Sequence, residues 1–289
     1  MKKTLLLFAA IFFTLVGRAQ TLESLEDSIQ ESFTGLADAM TDDVKMAYAE
    51  RMNTFFEQAL RMPEAFDYPF SKLRMMKGTS SDAHVRILNW NLPYNDGTYR
   101  YFGFVMIRDP KTAEVSVIKL EDQEREIEKV ESKFLNADKW FGALYFEIIP
   151  VKKKKKEIAD TYVLLGWDGK DNMTTRKVID VLSITGNGKI RFGAPIFETP
   201  KGTLKRFVME YSNEVSASVK YYPKKKCIVM DHVSPKAPQL QGIFAEYGPD
   251  GTYDLFELEK GKWILKENIE VGQFAADDDK PYNDPAKMR

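Results

Sequence analysis

The sequence predicts a mainly β protein: an antiparallel β-meander, as a sandwich or an open barrel-like sheet, with an N-terminal helical pair packed on it. Three observations predict it. Apolar residues recur at helical spacing from Leu22 to Met62 and change to period two after Ser80-Ser81. Tyr162-Val163-Leu164-Leu165 is apolar on both faces and is closed by Asp168-Gly169, as expected of a covered central strand beside a turn. Turn signals such as Asp96-Gly97 and Glu259-Lys260-Gly261 separate the later strands.

The first residues read as an export signal. Lys2-Lys3 forms a basic region, Leu5 to Val16 an apolar one, and Gly17-Arg18-Ala19 a small-x-small cleavage site before Gln20. The apolar run is shorter than the roughly twenty residues a membrane span needs, so the mature chain is expected to carry no transmembrane segment. The predicted location is the periplasm or the exterior. Cys227 is the only cysteine, which excludes a lipid anchor after the signal and any intrachain disulfide. Without Lys2, Lys3 and Arg18 the balance is 39 basic against 43 acidic side chains, which argues against wholesale nucleic-acid binding. With 44% hydrophobic and 12% aromatic residues, a core of its own must supply the stability.

A signal ending in Arg18-Ala19-Gln20 resembles those of exported proteins of Bacteroidota. The phrases Tyr162 to Gly169 and Phe192 to Phe197 resemble segments of uncharacterised exported proteins of that phylum. The resemblance implies a compartment and no activity.

In chain order, residues 1–19 are the signal, 20–70 a helical segment, 71–270 an antiparallel β domain and 271–289 a polar tail expected to be disordered. Leu22, Leu25, Ile29 and Leu36 mark one helix. Val44, Tyr48, Met52, Phe56 and Ala59 mark a second, opened by Thr41-Asp42-Asp43 and ended by Pro63. The acidic polar face favours a layer on a sheet over a membrane-surface element. His84 to Asn91 and Thr98 to Ile107 flank a hairpin turn at Pro93 to Gly97, and Ala113 to Leu120 follows Asp109-Pro110-Lys111. Ile127, Val130 and Phe134 are spaced for a short surface helix within the acidic stretch from Glu121. Trp140 to Val151 is the next strand, and Lys152 to Lys156 a solvated hairpin tip without interleaved aromatic residues. Beyond the central strand and Val178 to Ile184, a hairpin is expected between Leu204 to Tyr211 and Val215 to Tyr222, with Val215, Ala217, Val219 and Tyr221 inward. Lys226 to His232 and a last hairpin, Tyr253 to Leu258 with Lys262 to Ile269, bring the expected total to eleven or twelve strands. Asp96-Gly97-Thr98-Tyr99 recurs as Asp250-Gly251-Thr252-Tyr253, at a spacing too long for a propeller blade, and reads as recurrent turn chemistry.

Few constellations carry chemistry. Cys227 and His232 fall on opposite faces of one strand, so they do not form a nucleophile pair within it. Two histidines and one cysteine match no zinc spacing, and Asp168 to Asn172 lacks the order of a calcium loop, so no metal is expected. No phosphate loop or dinucleotide fingerprint is present, and no cofactor is expected. Trp90, Tyr94, Tyr99, Tyr101 and Trp167 cluster instead at turns and strand ends beside Asp168. Their flat apolar faces and polar neighbours suit a ligand cleft, and Trp90, Tyr99, Trp167, Asp168 and Asp171 are the candidate binding residues. The expectation is a non-enzymatic binding or accessory module of the cell envelope, with an envelope protein or a glycan as partner. The alternative is a hydrolase of glycans or peptides using Asp168 and Asp171 as paired carboxylates.

Overall fold

The structure, a computed structural model, describes residues 20–151, 159–186 and 188–269. The expected signal, the lysine run and the polar tail lie outside the described residues.

Two helices come first, α1 (Leu22–Asp38) and α2 (Asp42–Ala59). Thr21 caps α1 reciprocally: its hydroxyl accepts from Ser24 N at 3.2 Å, and the Ser24 hydroxyl accepts from Thr21 N at 3.0 Å. Thr41 occupies the cap position of α2 without a side-chain bond, and Asp42 and Asp43 face the positive end of the helix dipole. Fifteen strands follow among the described residues. The first four are β1 (Met76–Thr79), β2 (Val85–Pro93), β3 (Tyr99–Arg108) and β4 (Val115–Glu121), an antiparallel meander in that order. Next come β5 (Leu144–Pro150), β6 (Thr161–Asp168), β7 (Thr174–Ile184), β8 (Ile190–Phe192), β9 (Phe197–Thr199), β10 (Gly202–Leu204) and β11 (Phe207–Ser212). The last are β12 (Val219–Tyr222), β13 (Cys227–Pro235), β14 (Tyr247–Glu259) and β15 (Lys262–Ile269). A second sheet has the order β11-β7-β6-β5 with β8 beside β7, and a third the order β10-β9-β15-β14-β13-β12.

Period two stacks these elements in layers. On β3, Phe102, Phe104 and Met106 face the helices with Leu88 and Trp90 of β2, while Tyr101 and Val105 face the second sheet. On β6, Tyr162 and Leu164 belong to that same core, and Val163 and Leu165 pack against Ile228, Phe256 and Trp263 of the third sheet. The central strand is therefore covered on both faces, as its sequence predicts. No described helix is long and apolar enough to cross a membrane.

Several expectations need correction. The stretch after Glu121 is no surface helix: it makes two three-residue 3-10 turns, Glu124–Glu126 and Val130–Ser132, with Lys129 left-handed at φ 49°. Like charges at i,i+4, Asp122 with Glu126 and Glu124 with Glu128, disfavour an α-helix, and carboxylates bind sheet backbone instead, Asp122 accepting from Tyr101 N at 2.9 Å and Glu131 from Val208 N at 3.1 Å. The hairpin expected around Ser212-Asn213-Glu214 does not form. β11 pairs with β7 and β12 with β13, so the chain crosses there between sheets whose facing sides share one core. Alternation marks both strands but names no partner, and Val215 is left 37% exposed. The strand expected from Trp140 begins only at Leu144, because the backbone at Gly142 runs against Tyr101, where a Cβ would stand 2.4 Å from a ring carbon. The extra strands are short pieces, and β9 meets β15 in parallel, outside a pure meander.

Candidate functional site

The β2–β3 hairpin sets the geometry. Tyr94 N donates to Thr98 O at 2.8 Å and Gly97 N to Tyr94 O at 3.0 Å. Of the Asp-Gly pair only Gly97 is left-handed, at φ 84°, while the Asp96 carboxylate accepts from Thr98 N at 2.9 Å. The same bond recurs at 3.0 Å between Asp250 and Thr252, which accounts for the repeated tetrapeptide. Asn172 Nδ2 donates to Asp96 O at 3.0 Å, so the β6–β7 loop is held against the hairpin turn. This brings Tyr99, the first residue of β3, to Trp167 at the end of β6, ring centroids 5.6 Å apart and planes at 79°. Gly169 permits the approach, since a Cβ there would lie 2.4 Å from Tyr99. Trp167 thus joins the core of Tyr162 and Leu164 rather than that of Val163 and Leu165.

Trp90 completes the set from β2. It is not at a strand end: 2% exposed, it stacks on Phe56 of α2 at 4.7 Å and on Phe102 at 5.7 Å. Trp90, Tyr99 and Trp167 line one cavity of about 310 Å³, closed by Leu36 of α1, Met76 of β1 and Leu144 of β5. That is the lower end of the size range of small-ligand sites. Arg74 and Asn91 supply polar groups to its wall. The buried Trp90 indole N–H has no acceptor among the described residues.

Asp168 and Asp171 do not line this cavity. Asp168 is fully buried and accepts from Tyr101 Oη at 3.0 Å, Lys170 N at 2.9 Å and Arg176 Nη1 at 3.1 Å. Asp171 accepts from Met173 N and Thr174 N, both at 2.8 Å, and so shapes the β6–β7 loop. Arg176 is the centre of a charge cluster. Its Nη1 also reaches Glu124 at 2.7 Å and its Nε Glu210 at 2.9 Å, and Lys170 Nζ meets Glu210 at 2.5 Å. Asp171 also lies 3.4 Å from Lys170, so four carboxylates face two cations. Burial, with the neighbouring Asp168 charge, pushes Glu124 up to about 8. Burial also acts to raise Glu210, but its bonds to Lys170 and Arg176 prevail and hold it below the usual carboxylate range. Glu124 lines a second, smaller pocket of about 200 Å³ with Asp122, Arg125 and Tyr94, and Tyr99 lines both pockets.

Cys227 is buried beside Val229 and Leu255, while His232 Nδ1 meets Asp254 at 2.9 Å. Among the described residues, no three of His, Cys, Asp and Glu are grouped to hold a metal ion. No protein-family model matches the chain, and a search of the curated proteins finds no match either. The geometry alone therefore carries the functional reading. Arg74, Glu124, Arg176 and Glu210 were not singled out in the sequence, because each looks like an ordinary surface charge until the sheets bring it to a pocket or a partner.

Proposed function

We propose that the chain is an exported, non-enzymatic binding module of the cell envelope that takes a small ligand in the cavity beneath Trp90, Tyr99 and Trp167. One observation carries this reading: three aromatic side chains from β2, β3 and β6 converge on one mostly apolar cavity. An apolar lining with few polar groups suits a molecule with an apolar body, handed over by or shared with an envelope protein, better than a polar glycan chain. Titration with 1-octanol, an uncharged apolar probe, tests it. The tryptophan emission should shift on saturation, and Ala37→Trp, at an exposed position lining the cavity, should abolish the shift. An unchanged emission in the wild type would refute it. Export predicts an N-terminus at Gln20, read by mass spectrometry of the native protein.

A second reading, hydrolysis, is favoured by one specific feature: Glu124, held protonated near neutrality, lines the smaller pocket beside Asp122. Asp168 and Asp171 do not line that pocket, so Glu124 would be the acid. Hydrolysis of glycoside or peptide substrates that is lost in Glu124→Gln would decide for it.

A further inference from the structure

The polar groups in the cavity wall point to one class of ligand. Arg74 lines the cavity, is exposed to solvent and forms no ion pair among the described residues. No Asp or Glu lines the cavity to neutralise the guanidinium. Asn91 adds a neutral amide, and the rest of the wall is mostly aliphatic and aromatic, with Phe33, Leu36, Met75, Leu144 and Trp167. A site that offers a cation at the edge of a mostly apolar space is complementary to a molecule with an anionic acceptor group and an apolar body. At ~30 Å³ per water-sized unit, the cavity of about 310 Å³ holds on the order of ten heavy atoms.

Resting on the cavity reading above, we infer that the ligand is an amphipathic monocarboxylate of medium chain length. Its carboxylate meets Arg74, and its tail lies among Trp90, Tyr99 and Trp167. The guanidinium matches a carboxylate with two parallel N–H bonds, and its exposure leaves the head group at the mouth. The tail then displaces water from aromatic faces. A glycan chain would leave its hydroxyls against the aliphatic wall, and a cation would meet Arg74 with like charge.

Calorimetric titration of the purified protein with octanoate and with 1-octanol tests this, since the two share a tail and differ in the head group. One octanoate per chain should bind about tenfold more tightly than octanol, and added salt should narrow the difference. Arg74→Gln should remove the tenfold advantage and leave octanol binding unchanged. Ala37→Trp should abolish binding of both. Equal binding of the two ligands, or octanoate binding unaltered by Arg74→Gln, would overturn the carboxylate assignment while leaving the cavity reading in place. If neither ligand binds the wild type, or Ala37→Trp alters neither, the cavity reading falls and this inference with it.

Discussion

Arg206 Nε lies 2.8 Å from Asp180 Oδ2, and neither side chain has any solvent exposure. Asp180 also accepts from Tyr145 Oη at 2.9 Å, and that oxygen accepts from Trp140 Nε1 at 3.1 Å. Arg206 Nη1 donates to Val130 O at 2.8 Å. These contacts join β5, β7, the entry to β11 and the acidic stretch before β5, so one buried ion pair links four segments. Such a pair adds little net stability, yet removing one partner strands a buried charge.

Asp180→Ala is therefore expected to lower the unfolding free energy by about 3–5 kcal/mol in urea denaturation. Asp180→Ala combined with Arg206→Met should recover most of that loss, because the stranded cation is gone. Additive losses in the double variant would contradict this account.

Gly97 is expected to tolerate no side chain. Its φ of 84° is left-handed, and a Cβ there would meet Asn172 Oδ1 at 1.9 Å. Gly97→Ala should cost about 1–3 kcal/mol, partly restored by Asn172→Gly, which removes the clash and leaves the backbone strain. Thermal melts of the three variants measure the division.

Much of this architecture was legible in the sequence. The two helices, the β2–β3 and β14–β15 hairpins and the doubly covered β6 follow from periodicity and turn residues, all of them local properties. Partner choice is not local, which is why the alternation of Val215 to Tyr222 did not reveal that β12 pairs with β13 in the third sheet rather than with β11. The aromatic half of the site was visible because Trp90, Tyr99 and Trp167 are large and few. The charged half was not, since Glu124, Arg176 and Glu210 are 34 or more residues apart in their contacts and come together only through the fold.

Glu124 gives the protein a pH dependence of known sign. Its pKa is raised in the folded state to about 8 from an ordinary 4.5, so folding favours the protonated form. Its contribution is fully present below about 4.5 and is lost as pH rises through about 8. Glu124→Gln, a neutral replacement, should abolish that part of the decline and exceed the wild type in stability at pH 9 by on the order of 1–3 kcal/mol. Urea midpoints of the two proteins between pH 5 and pH 9 decide it: parallel curves would mean that Glu124 is ionised throughout.

The helical layer should prove inseparable from the first sheet. Ile29, Met52 and Phe56 are fully buried against the face that carries Leu88, Trp90 and Phe104, and Phe56 stacks on Trp90 with planes 26° apart. Phe56→Ala should cost about 3–5 kcal/mol, the usual loss for an aromatic residue in a core that cannot collapse around the gap. It should also change Trp90 emission. Deleting residues 20–62 goes further: it strips α1 and α2 from an apolar sheet face, and a contiguous exposed patch of that kind drives association. Size-exclusion chromatography should then show aggregates in place of the peak of the intact protein, and dye binding to exposed apolar surface should rise. A soluble truncated chain that unfolds cooperatively would mean that the helices are a separate module, and the cavity bounded by Leu36 and Trp90 would lose its α1 wall without loss of the β fold.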